Sequence, residues 1–421
     1  MDHFAYKNDV MHAEEVSLAE IAQNVGTPFY CYSDATLTRH YSVFAEAFKS
    51  VKTKICFAIK SNSNQAVLKT LANLGAGADA VSVGEIMRAI KAGISPGKIV
   101  FSGVGKTREE MAYALQQQIF QFNIESEPEL DALNEVALSL GKRAPIAIRI
   151  NPDIDAKTHA KISTGKKEDK FGVDWKATRP LYAKAKTMQG ILVQGISSHI
   201  GSQLVDLMPF EQAFRRINDL AEILRVDGHS ISVLDLGGGL GIPYDESEPP
   251  HPEHYAQVAI KATRGLGCEL VLEPGRLIVG NAGVLVTKVI YVKQTEHKNF
   301  IIVDAAMNDL MRPTLYDAYH DILAVNKPAV PTKSWKRVNV VGPVCESGDV
   351  LATNRLMPPV QAGDLLMIRT AGAYGAVMSG TYNSRPLIPE VMVKKQDMAV
   401  VRKRQSYDEL IGLDSLPQWI K

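Results

Sequence analysis

The amino-acid sequence predicts an α/β protein, in which a (β/α)8 barrel of the TIM type precedes a C-terminal β-rich domain of the sandwich or barrel type. Three observations support this fold class. Eight short, apolar, β-rich segments alternate with amphipathic segments between residues 54 and 275. Polar or glycine-rich residues follow nearly every one of these segments. After residue 280, strand-like segments follow one another with few helices between them.

The eight predicted barrel strands are separated by stretches in which apolar residues return every three or four positions, as in NQAVLKTLANLG and VGEIMRAIKAG. This alternation places all strands parallel. An open, doubly wound sheet is the alternative architecture for the same pattern. In chain order the segments are KICFAIK (54–60), ADAVS (78–82), KIVFSG (98–103), QFNIES (121–126), PIAIRI (145–150), VQGISSHI (193–200), SVLDLGG (232–238) and ELVLEPG (269–275).

The residues that end these segments include Lys60, Asp79, Arg149, His199 and Glu273. Barrel enzymes build their active sites from the C-terminal ends of the strands, so we expect these side chains to converge on one face. The polar, lysine-rich segment 153–170 predicts either a lid beside that face or an ordinary solvent-exposed loop.

The β-rich domain is predicted from VLVTKVIYVKQ, NFIIVDAA, RVNVVGPV, DLLMIRTAG and VMVKKQDMAVVRKR, with one helical stretch around LYDAYHDI. We place the barrel at residues 28–280 and the β-rich domain at residues 1–27 and 281–421. The N-terminal segment contains one short helix signal, SLAEIAQNVG.

Composition excludes several classes of protein. The 47 Lys and Arg residues nearly balance the 46 Asp and Glu residues, and a net charge of +1 gives no electrostatic basis for binding nucleic acid or an anionic membrane. No apolar stretch approaches the roughly 18 residues of a membrane span, and the N-terminal residues lack the apolar core of a secretory signal. Cys31, Cys56, Cys268 and Cys345 form no C-x-x-C pair. We therefore expect a cytoplasmic protein with no disulfide framework and no metal site.

Lys60 ends the apolar run C-F-A-I-K and is followed at once by small polar residues. A desolvated lysine is a nucleophile that can form a Schiff base with a carbonyl compound. A lysine that extends its amine from a strand end into solvent is the structural alternative.

Two loops carry further candidates. Gly237–Gly241 (GGGLG) exposes backbone N–H groups that suit a phosphate, although a tight turn between strand and helix accounts for the glycines equally well. In Glu273-Pro-Gly-Arg276, the carboxylate could pair with a protonated ring nitrogen and the arginine could bind a carboxylate. A buried Glu–Arg ion pair is the alternative, and His199 is either a ring-stacking or acid–base residue or a structural histidine.

Seven motifs occur in a fixed order: FAIKSN, SSHIGSQ, DLGGGLG, EPGR, MRPTLYDAYH, GPVCESGD and GAYG. Together they resemble the alanine-racemase-like, fold-type III pyridoxal-phosphate decarboxylases, and the resemblance runs from Thr27 to Pro389. It implies pyridoxal 5'-phosphate as cofactor, a cofactor-binding barrel and a C-terminal β domain. It also implies a homodimer whose two active sites are shared between subunits.

The resemblance assigns roles to individual residues. Lys60, His199 and Cys345 would be catalytic, with the cofactor on Lys60 and the ring of His199 stacked on it. Cys345 and Glu346 would come from the partner subunit, with Cys345 as the proton donor. Asp79 and Glu85 match acidic positions near the lysine. The residues implied in cofactor binding are Lys60, Asp79, His199, Ser202, Gly238, Gly239, Glu273, Gly275, Arg276 and Tyr374. Those implied in substrate binding are Arg276, Arg312, Tyr316, Glu346 and Tyr374.

The motif around Cys345 also bears on the substrate. Ornithine-type relatives carry C-D-G, suited to a terminal amine, whereas this chain has C-E-S-G-D together with Arg312. An amine and a carboxylate at the far end of the substrate fit these groups, so we expect decarboxylation of meso-diaminopimelate to L-lysine and CO2. Decarboxylation of ornithine, arginine or another amino acid is the main alternative; racemisation and cofactor binding without catalysis are the others.

Overall fold

The computed structural model describes residues 2–154, 170–245 and 247–420. Most of the segment 153–170, for which the sequence left a lid or a plain loop open, lies outside the described residues. The chain divides into two compact units, one formed by residues 37–278 and the other by residues 1–36 and 279–421.

The strands of the described residues, in chain order, are β1 (Phe4–Lys7), β2 (Val10–Ala13), β3 (Val16–Ser17), β4 (Phe29–Ser33), β5 (Thr53–Ala58), β6 (Gly77–Ala80), β7 (Ile99–Phe101), β8 (Gln121–Ile124), β9 (Ala144–Arg149), β10 (Ile191–Ser197), β11 (Val233–Asp235), β12 (Glu269–Leu272), β13 (Gly283–Gln294), β14 (Asn299–Val303), β15 (Ile322–Ala324), β16 (Lys336–Val341), β17 (Val350–Met357), β18 (Leu365–Ile368), β19 (Glu390–Lys394) and β20 (Asp397–Arg402).

The α-helices of the same residues are α1 (Leu18–Val25), α2 (Asp34–Ala47), α3 (Gln65–Asn73), α4 (Val83–Ala92), α5 (Arg108–Gln117), α6 (Glu127–Ser139), α7 (Trp175–Thr187), α8 (Met208–Val226), α9 (Pro252–Ala262), α10 (Arg276–Val279), α11 (Arg312–Tyr316) and α12 (Tyr407–Ile411).

Strands β5 to β12 form a closed barrel in which every neighbouring pair is parallel. The barrel closes where β12 pairs with β5, with Leu270 opposite Thr53. The predicted fold class is confirmed, and closure excludes the open doubly wound sheet. Each of the eight segments predicted as barrel strands overlaps one of these strands.

Some polar residues after the strands have a structural role. Ser82 and Ser126 precede α4 and α6, and their hydroxyl groups accept hydrogen bonds from the backbone N–H groups of Glu85 and Glu129. These contacts satisfy donors that a helix N-terminus leaves without an intrahelical partner. The polar strand ends therefore serve two purposes, to start helices and to line the mouth of the barrel.

The second unit contains a sheet in the order β17-β16-β14-β13-β4-β19-β20, with β18 pairing β13 and β15. Strand β4 lies between β13 and β19, and all five of its residues are buried. This pairing places the unit boundary after Thr36, whereas the sequence placed it after residue 27. Strand β17 was not predicted because it is an edge strand with polar residues such as Asn354 on its exposed side.

Candidate active site

Lys60 lies just beyond the end of β5, in a short 3₁₀ turn formed by Ile59–Ser61. Its Nζ lies 2.6 Å from Oδ2 of Asp79 on the neighbouring strand β6, because parallel pairing sets Ala58 opposite Asp79. The Asp79 side chain is fully buried, whereas 37% of the Lys60 side chain is exposed. Within the described residues, Oδ1 of Asp79 has no hydrogen-bond partner. The amine is therefore held at the mouth of the barrel and still accessible.

Two more buried carboxyl groups lie at the ends of β11 and β12. Asn123 bridges them, since its Nδ2 donates to Oδ2 of Asp235 at 2.8 Å and to Oε1 of Glu273 at 3.3 Å. Ser102 also donates to Oε1 of Glu273, at 3.5 Å. The donors belong to β8 and to the end of β7, on the other side of the barrel from β11 and β12, and they satisfy the acids as buried carboxyl groups require.

Burial raises the pKa of Glu273 well above its ordinary value, and the charges of Asp235 and Asp79 raise it further. Burial also raises the pKa of Asp235. When carboxyl groups share a buried site, they cannot all ionise at neutral pH. We therefore assign a proton to Glu273, the group whose pKa the neighbouring acids raise.

The glycine-rich loop after β11 follows a path that side chains would obstruct. Gly237 and Gly239 have φ angles of 66° and 109°. A Cβ at Gly238 would lie 2.2 Å from the carbonyl oxygen of Glu273, and one at Gly239 would lie 2.3 Å from that of Gly201. The loop is thus packed between the loops that follow β10 and β12. This close packing is by itself sufficient to require glycine at these positions.

His199 connects the loop after β10 to the glycine loop. Its Nδ1 accepts a hydrogen bond from the backbone N–H of Gly238 at 3.2 Å. Burial lowers the pKa of His199 well below its ordinary value, and the charges of Arg149 and Lys60 lower it further. A neutral ring that accepts at Nδ1 carries its proton on Nε2.

Arg276 begins α10 directly after β12, and its side chain is buried. Its Nη1 donates to the hydroxyl of Tyr244 at 2.5 Å and its Nη2 to that of Ser202 at 3.2 Å. Gly275, which precedes it, contacts β5, because a Cβ there would lie 3.1 Å from the Cβ of Ala58. Glu85, at the start of α4, accepts from the backbone N–H of Val81 at 2.8 Å.

The other candidate residues lie in the second unit. Arg312 is buried and begins α11, which Tyr316 ends. Tyr374 follows β18 with a φ angle of 55°. Cys345 and Glu346 are exposed in the loop between β16 and β17.

Two polar side chains fix the loop that carries Cys345. The backbone N–H of Cys345 donates to Oδ1 of Asn383 at 2.9 Å. Asp349 accepts from the backbone N–H groups of Val344 at 2.7 Å and Met307 at 2.6 Å. The thiol is therefore presented to solvent from a backbone that side chains hold in place.

Sequence reasoning missed several polar residues that contact the candidate groups. Asp235 and Asn123 lie inside apolar runs of barrel strands, and a charged or amide side chain in such a run was a signal that could have been read. No sequence pattern marked Tyr244, since it contacts Arg276 only in the folded chain. In the described part of the chain, no group of three or more His, Cys, Asp or Glu side chains could hold a metal ion. None of its helices is long and apolar enough to cross a membrane.

Comparison with known proteins gives concordant results. Residues 34–280 match the family described as "Pyridoxal-dependent decarboxylase, pyridoxal binding domain". The chain is 50% identical to a diaminopimelate decarboxylase of Zymomonas mobilis, over 99% of both chains. It also resembles the solved structure of diaminopimelate decarboxylase from Helicobacter pylori complexed with L-lysine, with a TM-score of 0.91 and 43% identity over 94% of this chain and 98% of that one.

A second solved structure, diaminopimelate decarboxylase from M. jannaschii in complex with L-lysine, has a TM-score of 0.94 and 36% identity, over 99% of this chain and 98% of that one. Lysine/ornithine decarboxylase from Vibrio vulnificus is 20% identical, with a TM-score of 0.79, and shares the fold.

Proposed function

The chain belongs to the family of pyridoxal-dependent decarboxylases, and from this premise we propose that it converts meso-diaminopimelate to L-lysine and CO2, the last step of lysine synthesis. The observation that carries the proposal is the position of Lys60, whose accessible amine is held by Asp79 at the mouth of the barrel that also contains Glu273. The full-length similarity to diaminopimelate decarboxylases supports the choice of substrate.

The residues at the mouth of the barrel fit pyridoxal phosphate. Asp79 retains a buried oxygen without a partner in the described part of the chain, and Lys60 offers an accessible amine. The pKa of Glu273 is raised by burial and by the charges of Asp235 and Asp79, which favours the protonated carboxyl group that a pyridine nitrogen would accept from. The neutral ring of His199 offers a flat face without a charge that would oppose a pyridinium.

In this proposal each residue has a defined task. Lys60 would hold the cofactor through its amine, Glu273 would pair with the ring nitrogen and His199 would contact the ring. When bound, pyridoxal phosphate supplies an electron sink for the bond that breaks. The cradle proposed for the phosphate consists of Ser202, Gly238, Gly239, Gly275, Arg276 and Tyr374.

The far end of the substrate carries an amine and a carboxylate, and both remain in L-lysine. We assign the carboxylate to Arg312, with Arg276, Tyr316 and Tyr374 as further substrate-binding groups, because a guanidinium binds a carboxylate through two parallel hydrogen bonds. Glu346 is the group of opposite charge for the distal amine. Ornithine has no distal carboxylate, so such a site discriminates against it.

A proton must replace the carboxylate that leaves as CO2. We assign this proton to the thiol of Cys345, supplied by the second subunit of a homodimer, because the thiol is exposed on its own unit and its backbone is fixed by Asn383. The four free cysteines are typical of a reducing compartment, which supports a cytoplasmic location.

The proposed function is tested by incubating the pyridoxal-phosphate-loaded protein with meso-diaminopimelate and measuring CO2 and L-lysine by mass spectrometry. We expect one L-lysine for each CO2 and a much lower kcat/KM for ornithine and arginine. Preference for ornithine would contradict the substrate assignment, and stereochemical inversion without release of CO2 would indicate a racemase.

Mixing two inactive variants tests whether the sites are shared. Cys345→Ala should lower kcat by about a hundredfold or more, because a positioned acid is lost. Lys60→Ala removes the cofactor lysine from the other side of the same site. In mixed dimers one site recovers both residues, so activity should rise to about a quarter of the unmutated level when exchange is random. No recovery, with subunit exchange shown by native mass spectrometry, would contradict a shared site.

A further inference from the structure

His320, a residue to which no role has been given, contacts Arg312 in the second unit. The histidine is fully buried and the arginine nearly so. Nη1 of Arg312 lies 2.8 Å from Nε2 of His320, and Nδ1 of the same ring lies 2.9 Å from the carbonyl oxygen of Arg369. The ring thus joins a charged side chain to the backbone at the end of β18.

These two contacts fix the protonation state of the ring. A guanidinium has donors and no acceptor, so Nε2 of His320 accepts from Arg312. A carbonyl oxygen only accepts, so Nδ1 donates to Arg369. Both contacts require the same neutral tautomer, with the proton on Nδ1.

Backbone pairing holds His320 in place. His320 lies two residues before the start of β15, in which Ile322 pairs with Ile368 of β18. The backbone N–H of Arg369 donates to the carbonyl oxygen of Asp321 at 2.8 Å. After α11 the chain turns back through Asp317, whose φ angle is 51°, and this turn brings His320 beside Arg312.

A neutral acceptor has a chemical advantage at this position. A carboxylate would fix the guanidinium equally well, but it would contribute a negative charge that opposes the binding of an anion. The histidine fixes one N–H of Arg312 and contributes no charge of its own. The pair is therefore suited to an arginine that must bind a carboxylate.

We propose that His320 is a positioning residue, which orients Arg312 through one hydrogen bond so that its guanidinium receives the distal carboxylate of the substrate. This inference rests on the proposed function, in which Arg312 binds that carboxylate. His320 itself makes no contact with the substrate in this proposal, so its substitution should affect ligands only through Arg312.

L-Lysine and cadaverine distinguish this role from a general structural one. Cadaverine has both amines of L-lysine and lacks the carboxylate, so Arg312 can recognise only L-lysine. In the holoenzyme, His320→Leu should weaken L-lysine binding by about tenfold, which corresponds to one hydrogen bond to a charged group. Cadaverine binding should change less than about twofold, since it makes no such bond. His320→Gln, whose amide oxygen can accept from Arg312, should recover part of the loss.

A double-mutant cycle completes the test. In an Arg312→Met background, His320→Leu should have no further effect on L-lysine binding, measured by calorimetry and as an inhibition constant. The matched control is His12→Leu, since His12 is a partly buried histidine of the same unit that contacts the carbonyl oxygen of Val10.

Equal loss of L-lysine and cadaverine binding, additive effects of the two substitutions, or no effect of either His320 variant would overturn the inference. Failure of the unmutated holoenzyme to decarboxylate meso-diaminopimelate would instead contradict the proposed function, and the L-lysine cycle would still report whether His320 acts through Arg312.

Discussion

Replacing Lys60 with alanine should lower decarboxylation of meso-diaminopimelate by at least about a thousandfold, because the only nucleophilic amine assigned to the cofactor is removed. The loss should have a second, chemical readout. After borohydride reduction of the unmutated holoenzyme, peptide mass spectrometry should find the cofactor on Lys60, and Lys60→Ala should retain none.

Lys54 provides the matched control, since it lies near the start of β5, whereas Lys60 follows the end of that strand. There Nζ of Lys54 lies 3.4 Å from Oε1 of Glu269, and 17% of the side chain is exposed. Lys54→Ala should keep kcat within about twofold, because the groups that Lys54 contacts, Glu269 and the ring of Phe120, lie at the end of the barrel away from Lys60. Reduced cofactor on another lysine, with activity retained in Lys60→Ala, would contradict the assignment.

Replacing Glu273 with glutamine should lower kcat by about a hundredfold to a thousandfold. Glutamine keeps the size of the side chain but cannot give up a proton to the pyridine nitrogen, so the electron sink loses its positive charge. The absorbance of the bound cofactor should also change, because the protonation state of the ring changes.

Glu269→Gln is the control for that substitution, since Glu269 begins the same strand, β12, that leads to Glu273. Activity and cofactor absorbance should both remain close to those of the unmutated enzyme. If Glu273→Gln has full activity and an unchanged spectrum, the ring nitrogen has another partner, and Asp235 is the first residue to examine.

The barrel could be predicted from the sequence because its strands and helices alternate along the chain, so that short stretches of sequence reveal each element. Each strand is followed by its own helix, so the period of the apolar residues changes at each junction, and the polar residues at the strand ends mark one face. Lys60, Asp79, His199 and Glu273 were found in this way. The candidate residues of the second unit were found only through the resemblance to a known family, because their spacing in the sequence does not predict where they lie relative to the other candidates.

The contacts that were missed are those that connect distant parts of the chain. Tyr244 reaches Arg276 across 32 positions, and Asn383 reaches Cys345 across 38. Neither belongs to a periodic element, so no pattern marks it. His320 is part of the motif MRPTLYDAYH, but its proposed role depends on the tautomer of its ring. That tautomer is defined only by the contacts of the ring with Arg312 and with the carbonyl oxygen of Arg369 in the folded chain.

The position of strand β4 has a consequence for how the protein is made. Tyr30 of β4 pairs with Glu390 of β19, a separation of 360 positions along the chain. At about 5–20 residues per second, a ribosome needs about 20–70 seconds to synthesise that length. The barrel can close once β12 has emerged, since β12 pairs with β5. Strand β4 cannot pair with β19 until translation is almost complete, although all five of its residues are buried in the folded protein. Premature termination before β19 would therefore release a chain with a closed barrel and an incompletely paired apolar strand, which is a template for aggregation rather than a shorter enzyme.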